Sequence, residues 1–232
     1  MYMQISVIIP AYNEAENIGC LINHVKKYGG DSVVEILVVD GDSKDNTIEI
    51  ASQYGVNALL SPQKGRAAQM NYGAGIARGD IFYFIHADVL PPTTFVTDIQ
   101  KAIRNGYDFG RYFMRFDSKK WYLRINEFFT RFDFFICYGG DQTLFITRKL
   151  FEETEGFKSD MLIMEDFEFT KRARKLGRYK IFNKAVLISA RKYDTNSWWR
   201  VQMANKKIVD MYRTGASQVA MVEKYREMLN YR

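Results

Sequence analysis

Residues 33–43 read VVEILVVDGDS. A strand with one wet face alternates apolar and polar side chains, and this run does not alternate. It reads as a strand buried on both faces, the pattern of a parallel sheet covered by helices on either side. Working outward, "ISVIIPAYN" (5–13) is a second apolar strand that runs into a Pro-Tyr-Asn turn. Between the two, "EAENIGCLINHVKKY" places Ile18, Leu21, Ile22 and Val25 at helical spacing. Beyond Asp40, either Ser43 or Asp45 can cap a helix over "NTIEIASQYG", closed by Gly55. The short strand "VNALLS" leads to "KGRAAQMNYGAGIARG", a helix whose small residues allow it to lie close to a sheet, and then to the strand "DIFYFIHAD". Repeated β-α-β units imply a parallel sheet with right-handed crossovers.

The second half is less regular. "TFVTDIQKAIRNG" predicts a helix and "YDFGRYFMRFD" a strand. "WYLRINEFFTRFDFFICYGGDQTLFIT" predicts an aromatic helix, a Gly-Gly turn and a strand. "EDFEFTKRARKLG" predicts a helix ending at Gly177, followed by a strand pair in "YKIFNKAVLISAR" and a helical tail from Ser197 to Arg232. No repeat, low-complexity segment or linker divides the chain, so residues 1–232 are expected to form one α/β domain. A chain with 47% hydrophobic and 26% charged residues can bury a core and is not a disordered tail.

Other classes are disfavoured. Cys20 and Cys137 lack CxxC spacing, which argues against a metal or disulfide framework and suggests a cytoplasmic setting. Ser6, Pro10, Asn13 and Glu14 interrupt any leader-like apolar run, and no stretch approaches the roughly 18 apolar residues of a membrane span. The net charge of +6 is uneven. Residues 1–110 hold 8 Lys/Arg against 12 Asp/Glu (net −4), and residues 111–232 hold 25 against 15 (net +10). A basic second half suits an anionic partner, although a solvated surface explains it equally well.

In open parallel sheets, ligands bind outside the carboxyl ends of the strands. Three such ends here carry polar residues: "PAYNE" (10–14), "DGDS" (40–43) and "HAD" (86–88). A nucleotide needs a flat apolar surface for its base, acceptors for its N–H and O–H groups, and positive charge for its phosphates. Tyr12, Asp40 and the pair Lys64 and Arg66 match these needs in turn. Each also has a simpler reading, since a Tyr after a strand packs and an Asp at a strand end caps a helix. His86 and Asp88, two residues apart where a strand becomes a turn, can face one ligand. A carboxylate there suits Mg²⁺ or Mn²⁺ completed by substrate phosphates, and imidazole suits Mn²⁺ better than Mg²⁺. Asp166, at the start of a helix, sits where the helix dipole favours an ionised carboxylate, either as a general base or as a cap.

Together, "SVIIPAYNEAENI", "EILVVDGDSKDNT", "GRAAQMNYGAGIARGDIFYFIHAD" and "MEDFEFTKRARKLG" resemble the family 2 glycosyltransferases with the GT-A fold. The longer "KGRAAQMNYGAGIARGD…FIHAD" block and "SARKYDTNSWWR" resemble a soluble bacterial subgroup of that family. The resemblance implies a Rossmann-like, mostly parallel sheet flanked by helices. Residues to about 110 would bind a nucleoside-diphosphate sugar of UDP or GDP type, and about 111–232 would face the acceptor. Pro10, Ala11, Tyr12, Glu14 and Asp40 would line the base and ribose pocket, and Arg66 would approach the phosphates; Lys64 and Ala87 are counted with these nucleotide-sugar-binding residues. Asp88, with His86, would take the place of the family's DxD metal motif, and Asp166 that of its catalytic base. Gly140, Asp141, Glu165, Trp199 and Arg200 are placed on the acceptor side. Two departures from the family pattern stand out: Asp40-Gly41-Asp42-Ser43 where Asp-Asp-Gly-Ser is usual, and His86 where DxD has an acid.

The activity implied is inverting, metal-assisted glycosyl transfer. A nucleotidyltransferase is the rival enzyme, but residues 10–20 hold only Gly19 and no Lys or Arg, a poor phosphate-gripping loop. A non-catalytic nucleotide- or nucleic-acid-binding protein is the other alternative, and no RRM, KH or zinc signature supports the latter. The stretch "WYLRINEFFTRFDFF" reads as a buried aromatic core. Alternatively it docks on an acidic membrane surface and serves a lipid-linked acceptor.

Overall fold

A computed structural model describes residues 3–135 and 143–229. The elements run β1 (Ile5–Ala11), α1 (Ile18–Gly29), β2 (Val33–Asp40), α2 (Thr47–Gln53), β3 (Asn57–Leu60), α3 (Arg66–Ile76), β4 (Ile81–Phe84), β5 (Val89–Leu90), α4 (Phe95–Arg104) and β6 (Phe109–Phe116). They continue with α5 (Leu123–Phe129), β7 (Leu144–Thr147), α6 (Arg148–Glu153), α7 (Glu165–Ala173), β8 (Tyr179–Ile188), α8 (Lys192–Thr195), α9 (Trp198–Arg213) and α10 (Gln218–Met228). The strands form one sheet in the order β3-β2-β1-β4-β7-β6-β8-β5. Pairings within β3-β2-β1-β4 are all parallel, as is β6 with β8, whereas β7 pairs antiparallel on both sides and β5 pairs antiparallel with β8.

Both faces of the opening strands are covered. On β1, Ile5, Val7 and Ile9 join Ile36 and Val38 of β2 in a core with Leu21, Ile22 and Val25 of α1. The alternate residues Ile8, Leu37 and Val39 join Ala67, Met70 and Ala74 of α3 on the other face. All of these side chains are at least nine-tenths buried. Full burial of a Val, Leu or Ile contributes about 1.5–3 kcal/mol, so the unbroken apolar run is rewarded on both faces at once. The small residues of α3 act as expected. A Cβ on Gly73 would lie 2.6 Å from Ile8 Cγ2, so the helix axis sits close to the sheet.

Three expectations need correction. The "strand pair" after Gly177 is a single strand, β8, whose register on β6 jumps from Tyr112↔Phe182 to Phe113↔Ala185. Asn183 and Lys184 loop out of the ladder there, and Lys184 Nζ reaches Asp98 at 2.6 Å. The helical tail is two helices, because Gly215 adopts φ +75° and Ser217 then caps α10 by accepting from Ala220 N. The aromatic stretch is not core. Leu123 and Thr130 are buried, but Trp121, Phe128, Phe129, Phe132 and Phe134 are exposed. Asn126, Glu127 and Thr130 bond inward to the body and turn the aromatic face out.

Candidate active site

Strand order places the site. The chain winds from β1 outward through β2 to β3, then returns to β4 on the other side of β1. The carboxyl ends of β1, β2 and β4 therefore meet at a topological switch point, where open α/β sheets bind ligands. Two loops close over this edge, aided by Asn13 and Asp42 at φ +53° and +74°. Asn13 N donates to Ser43 Oγ at 2.8 Å, Lys44 N to Asn13 Oδ1 at 2.8 Å, and Glu14 N to Thr47 Oγ1 at 2.9 Å. Asp45 ends α2's approach by accepting from Ala15 N and Thr47 N. Burial works against its charge, but those donors and the Thr47 hydroxyl outweigh it and hold the carboxyl below its usual range.

Gln69 was not singled out from the sequence. It is buried on α3, and its Nε2 donates to the carbonyls of Ala11 and Val39, both at 2.7 Å. One side-chain amide thus clamps the ends of β1 and β2, and Gly41 leaves room for it.

Among the expected donor-side residues, Pro10 and Ala11 are buried at the end of β1, and the Tyr12 side chain is 50% exposed at the edge. Asp40 is fully buried and accepts from Ser43 N at 2.7 Å and from the Ser43 hydroxyl. Lys64 is paired with Asp42 at 3.0 Å, and the Lys44 and Lys64 ammoniums hold the Asp42 carboxyl below its ordinary value. Ala87 is buried between half-buried His86 and Asp88. Asp88 and Glu14 share one cation: Arg191 Nη2 lies 3.2 Å from Asp88 Oδ2, while Nη1 and Nη2 each bond a Glu14 oxygen. Arg191 lies in the "SARKYDTNSWWR" block, the signal that could have marked it.

Arg66 opens α3, and its Nε lies 2.8 Å from Glu165 Oε1. The Glu165 side chain is 1% exposed, and among the described residues neither oxygen accepts an aligned hydrogen bond. The Arg66 charge is its partner there. Asp166 follows in the first turn of α7, so this pair brings the helix bearing Asp166 to the start of α3 at Arg66, just after the loop bearing Lys64. Glu168 is held below its usual range, burial opposing but Arg172 and Lys158 prevailing.

On the acceptor side, Trp199 is 72% exposed and meets Trp198 edge-on. Arg200 is turned to α10, where Nε donates to Met228 O. Gly140 and Asp141 lie outside the described residues. No group of three or more His, Cys, Asp and Glu that could hold a metal occurs among the described residues. The donor set, Asp88 with His86 beside it, fits a cation completed by diphosphate oxygens and does not fit an all-protein cage. A cleft of about 340 Å³ lined by Gly29, Val33, Glu35 and Arg78 lies at the opposite, amino ends of β2 and β3. No helix of the described residues is long and apolar enough to cross a membrane.

Comparison with known proteins extends this picture. A dolichol-phosphate mannosyltransferase of Pyrococcus furiosus is 36% identical over 111 residues, 46% of this chain and 32% of that protein. The chain spans about a third of the length of the curated relatives it matches. Among solved structures, the mannosyltransferase PcManGT of Pyrobaculum calidifontis, in complex with GDP-Man and Mn²⁺, superposes with a TM-score of 0.67 at 20% identity, covering 98% of this chain and 70% of that one. The TarS 1–349 structure from S. aureus, in complex with UDP-GlcNAc, gives 0.66 at 19% identity, covering 98% and 72%. At such identities the likeness shows the fold, and the expected GT-A architecture is confirmed. The model of the family described as "Glycosyl transferase family 2" matches residues 6–164, more than half of the sequence, and the chain belongs to that family.

Proposed function

We propose that this protein is an inverting glycosyltransferase that moves a sugar from a nucleoside-diphosphate sugar, of UDP or GDP type, to an acceptor hydroxyl. The observation that carries this reading is the Arg66–Glu165 contact, which brings the nucleotide-side loops and the helix of Asp166 to one place. Tyr12 offers a ring for the base, and Asp40, at the end of the adjacent strand, is assigned to the ribose. Lys64, Arg66 and Arg191 supply positive charge for the diphosphate. Asp88, with His86 beside it, would hold a divalent cation, Mn²⁺ or Mg²⁺, together with diphosphate oxygens. Such a cation neutralises charge developing on the leaving group. Asp166 takes the proton from the acceptor hydroxyl as its oxygen attacks the anomeric carbon. The nucleoside diphosphate departs from the opposite face, which inverts the configuration. A positioned base of this kind is worth about 10²–10⁴-fold. We read the acceptor as lipid-linked, from the basic second half and the outward aromatic face of α5.

The test is a thermal-shift screen of UDP, GDP, CDP and dTDP with and without Mn²⁺, on the native chain and two variants. A ligand at about 100 times its Kd stabilises by about 2.7 kcal/mol. Asp88→Asn is expected to lose the Mn²⁺-dependent part of the shift. Asp166→Asn is expected to keep the shift and lose turnover of the nucleotide sugar by on the order of 10²-fold or more. No shift with any nucleoside diphosphate or nucleotide sugar would sink the transferase reading.

A further inference from the structure

The helix α5 is amphipathic in the wrong sense for a soluble surface. Its inward face carries Leu123, Asn126, Glu127 and Thr130, three of them polar. Asn126 Nδ2 donates to Tyr193 OH and Asn126 Oδ1 accepts from Trp198 Nε1, both at 3.0 Å. Glu127 accepts from Phe116 N at 2.9 Å, and Thr130 Oγ1 from Met114 N at 3.3 Å. Its outward face carries Trp121 (73% exposed), Ile125 (40%), Phe128 (55%) and Phe132 (40%). Residues 121, 125, 128 and 132 fall at helical spacing, and the turns on either side of the helix continue it. The rings form one patch, with Phe128 5.7 Å from Phe129 and 5.1 Å from Phe132 between centroids. Water would favour the opposite orientation, and contiguous exposed apolar patches mark interaction sites.

We propose that this face of α5 docks on an anionic lipid bilayer. Charge selects that occupant. Arg124, three residues after Trp121 and four before Phe128, projects from the same face and is exposed. Exposed Lys119 and Arg131 flank it, Arg131 with its guanidinium 4.4 Å from the Phe113 ring. Of the two acids in the segment, Glu127 is turned inward and the exposed Asp133 is paired with Arg174. Aromatic side chains interleaved with Arg and Lys are the composition of helices that lie in a membrane interface. A second copy of this chain, packed symmetrically on the same patch, would bring like charges together, whereas anionic headgroups complement them. The inward face of α5 also touches the segment that follows Arg191, through Asn126 Nδ2 to Tyr193 OH at 3.0 Å, and in the turn before the helix Lys120 Nζ bonds Tyr193 O and Asp194 Oδ1, both at 2.8 Å. Docking would therefore hold the segment that follows Arg191 near the bilayer, where a lipid-linked acceptor would reside. That last consequence rests on the transferase reading, and the docking does not.

Co-sedimentation of the full chain with vesicles of phosphatidylcholine, with and without phosphatidylglycerol, tests the proposal in the absence of nucleotide. Binding is expected only to anionic vesicles, and is expected to weaken in high salt, which screens surface charge. Each cation near such a surface strengthens binding by about fivefold, so Lys119→Gln with Arg124→Gln is expected to weaken it roughly thirtyfold. Phe128→Ser with Phe132→Ser is expected to weaken it at least tenfold, with melting temperature and nucleotide-induced shift unchanged. Hydrogen exchange of the native chain supplies an independent readout, with vesicle-induced protection expected over residues 119–134. The proposal is overturned by an absence of binding to anionic vesicles, by binding that survives Phe128→Ser with Phe132→Ser, or by protection elsewhere. It is equally overturned if the native chain elutes as a dimer that those serines dissociate, since the face would then belong to a second copy. A silent nucleotide screen would leave the vesicle result standing, so the two readings fail separately.

Discussion

Replacing Arg66 by Met removes the one charge that, among the described residues, pairs with a carboxylate whose side chain is 1% exposed. Breaking a fully buried ion pair from one side costs roughly 3–5 kcal/mol, because the remaining charge stays desolvated. Arg66 is itself 42% exposed, so water reaches the vacated side, and the lower end, about 3 kcal/mol, is expected. In a chain of this length each kcal/mol moves Tm by about 2–4 °C, which gives a fall of roughly 6–12 °C. The converse change is expected to be milder. In Glu165→Met an apolar side chain of similar length fills the buried site, and the Arg66 guanidinium turns to solvent. The double variant is expected to return to within about 1 kcal/mol of the native chain, since a well-packed apolar replacement of a buried pair is often neutral or better. Urea unfolding of the four chains measures this cycle. Equal losses for the two single variants, or a double variant that loses their sum, would refute the claim that Arg66 serves as the counter-charge of a buried Glu165.

Two further outcomes follow from individual contacts. Burial is the main cause that pulls the His24 pKa below 6.5, Lys27 adding to it and the contact with Pro91 O at 2.7 Å opposing it. The unfolded chain therefore takes up a proton more readily than the folded one. His24 costs no stability well above pH 6.5, and stability is lost as pH falls below that value toward the folded pKa. Melting curves from pH 7.5 to about 5 are expected to decline less steeply for His24→Gln, and parallel declines would contradict this. Among the glycines, a Cβ on Gly110 would stand 2.1 Å from Lys180 O of the neighbouring strand, whereas one on Gly75 meets nothing within 4 Å. Gly110→Ala is expected to destabilise by about 3 kcal/mol, and Gly75→Ala, in a helix, to stabilise by about 0.5–1 kcal/mol. Urea midpoints of similar sign for both would show that the close approach of β6 and β8 is not what Gly110 permits.

The local order of elements in the first half was legible from residues alone, for a physical reason. Apart from Glu35 and Ser6, Val33–Val39 and Ile5–Ile9 are apolar at both parities, and only burial on two faces rewards such a run. Crossover handedness then leaves few topologies, so the strand ends bearing Tyr12, Asp40 and Asp88 had to share an edge. The second half resisted the same reading. Asn183 and Lys184 look like a turn between strands because their looping out depends on β6 running past them, a partner remote in sequence. Aromatic residues at 121–134 look like core because composition says nothing about which side of a helix the body will hold. Long-range hydrogen bonds from Asn126, Glu127 and Thr130 make that choice.

The same division runs through the site. Asp88, Asp166 and the turn at Asp40 stand out in sequence because strand ends and helix starts have local signatures. Their partners do not. Gln69 reaches Ala11 and Val39 across the sheet, Arg191 closes on Glu14 across 177 positions of chain, and Arg66 finds Glu165 only after α3 and α7 pack. Residue type and spacing determine where a charged group can stand along its own element. Which opposite charge it meets is decided by folding, since Coulomb attraction acts through space and strengthens steeply as burial removes water.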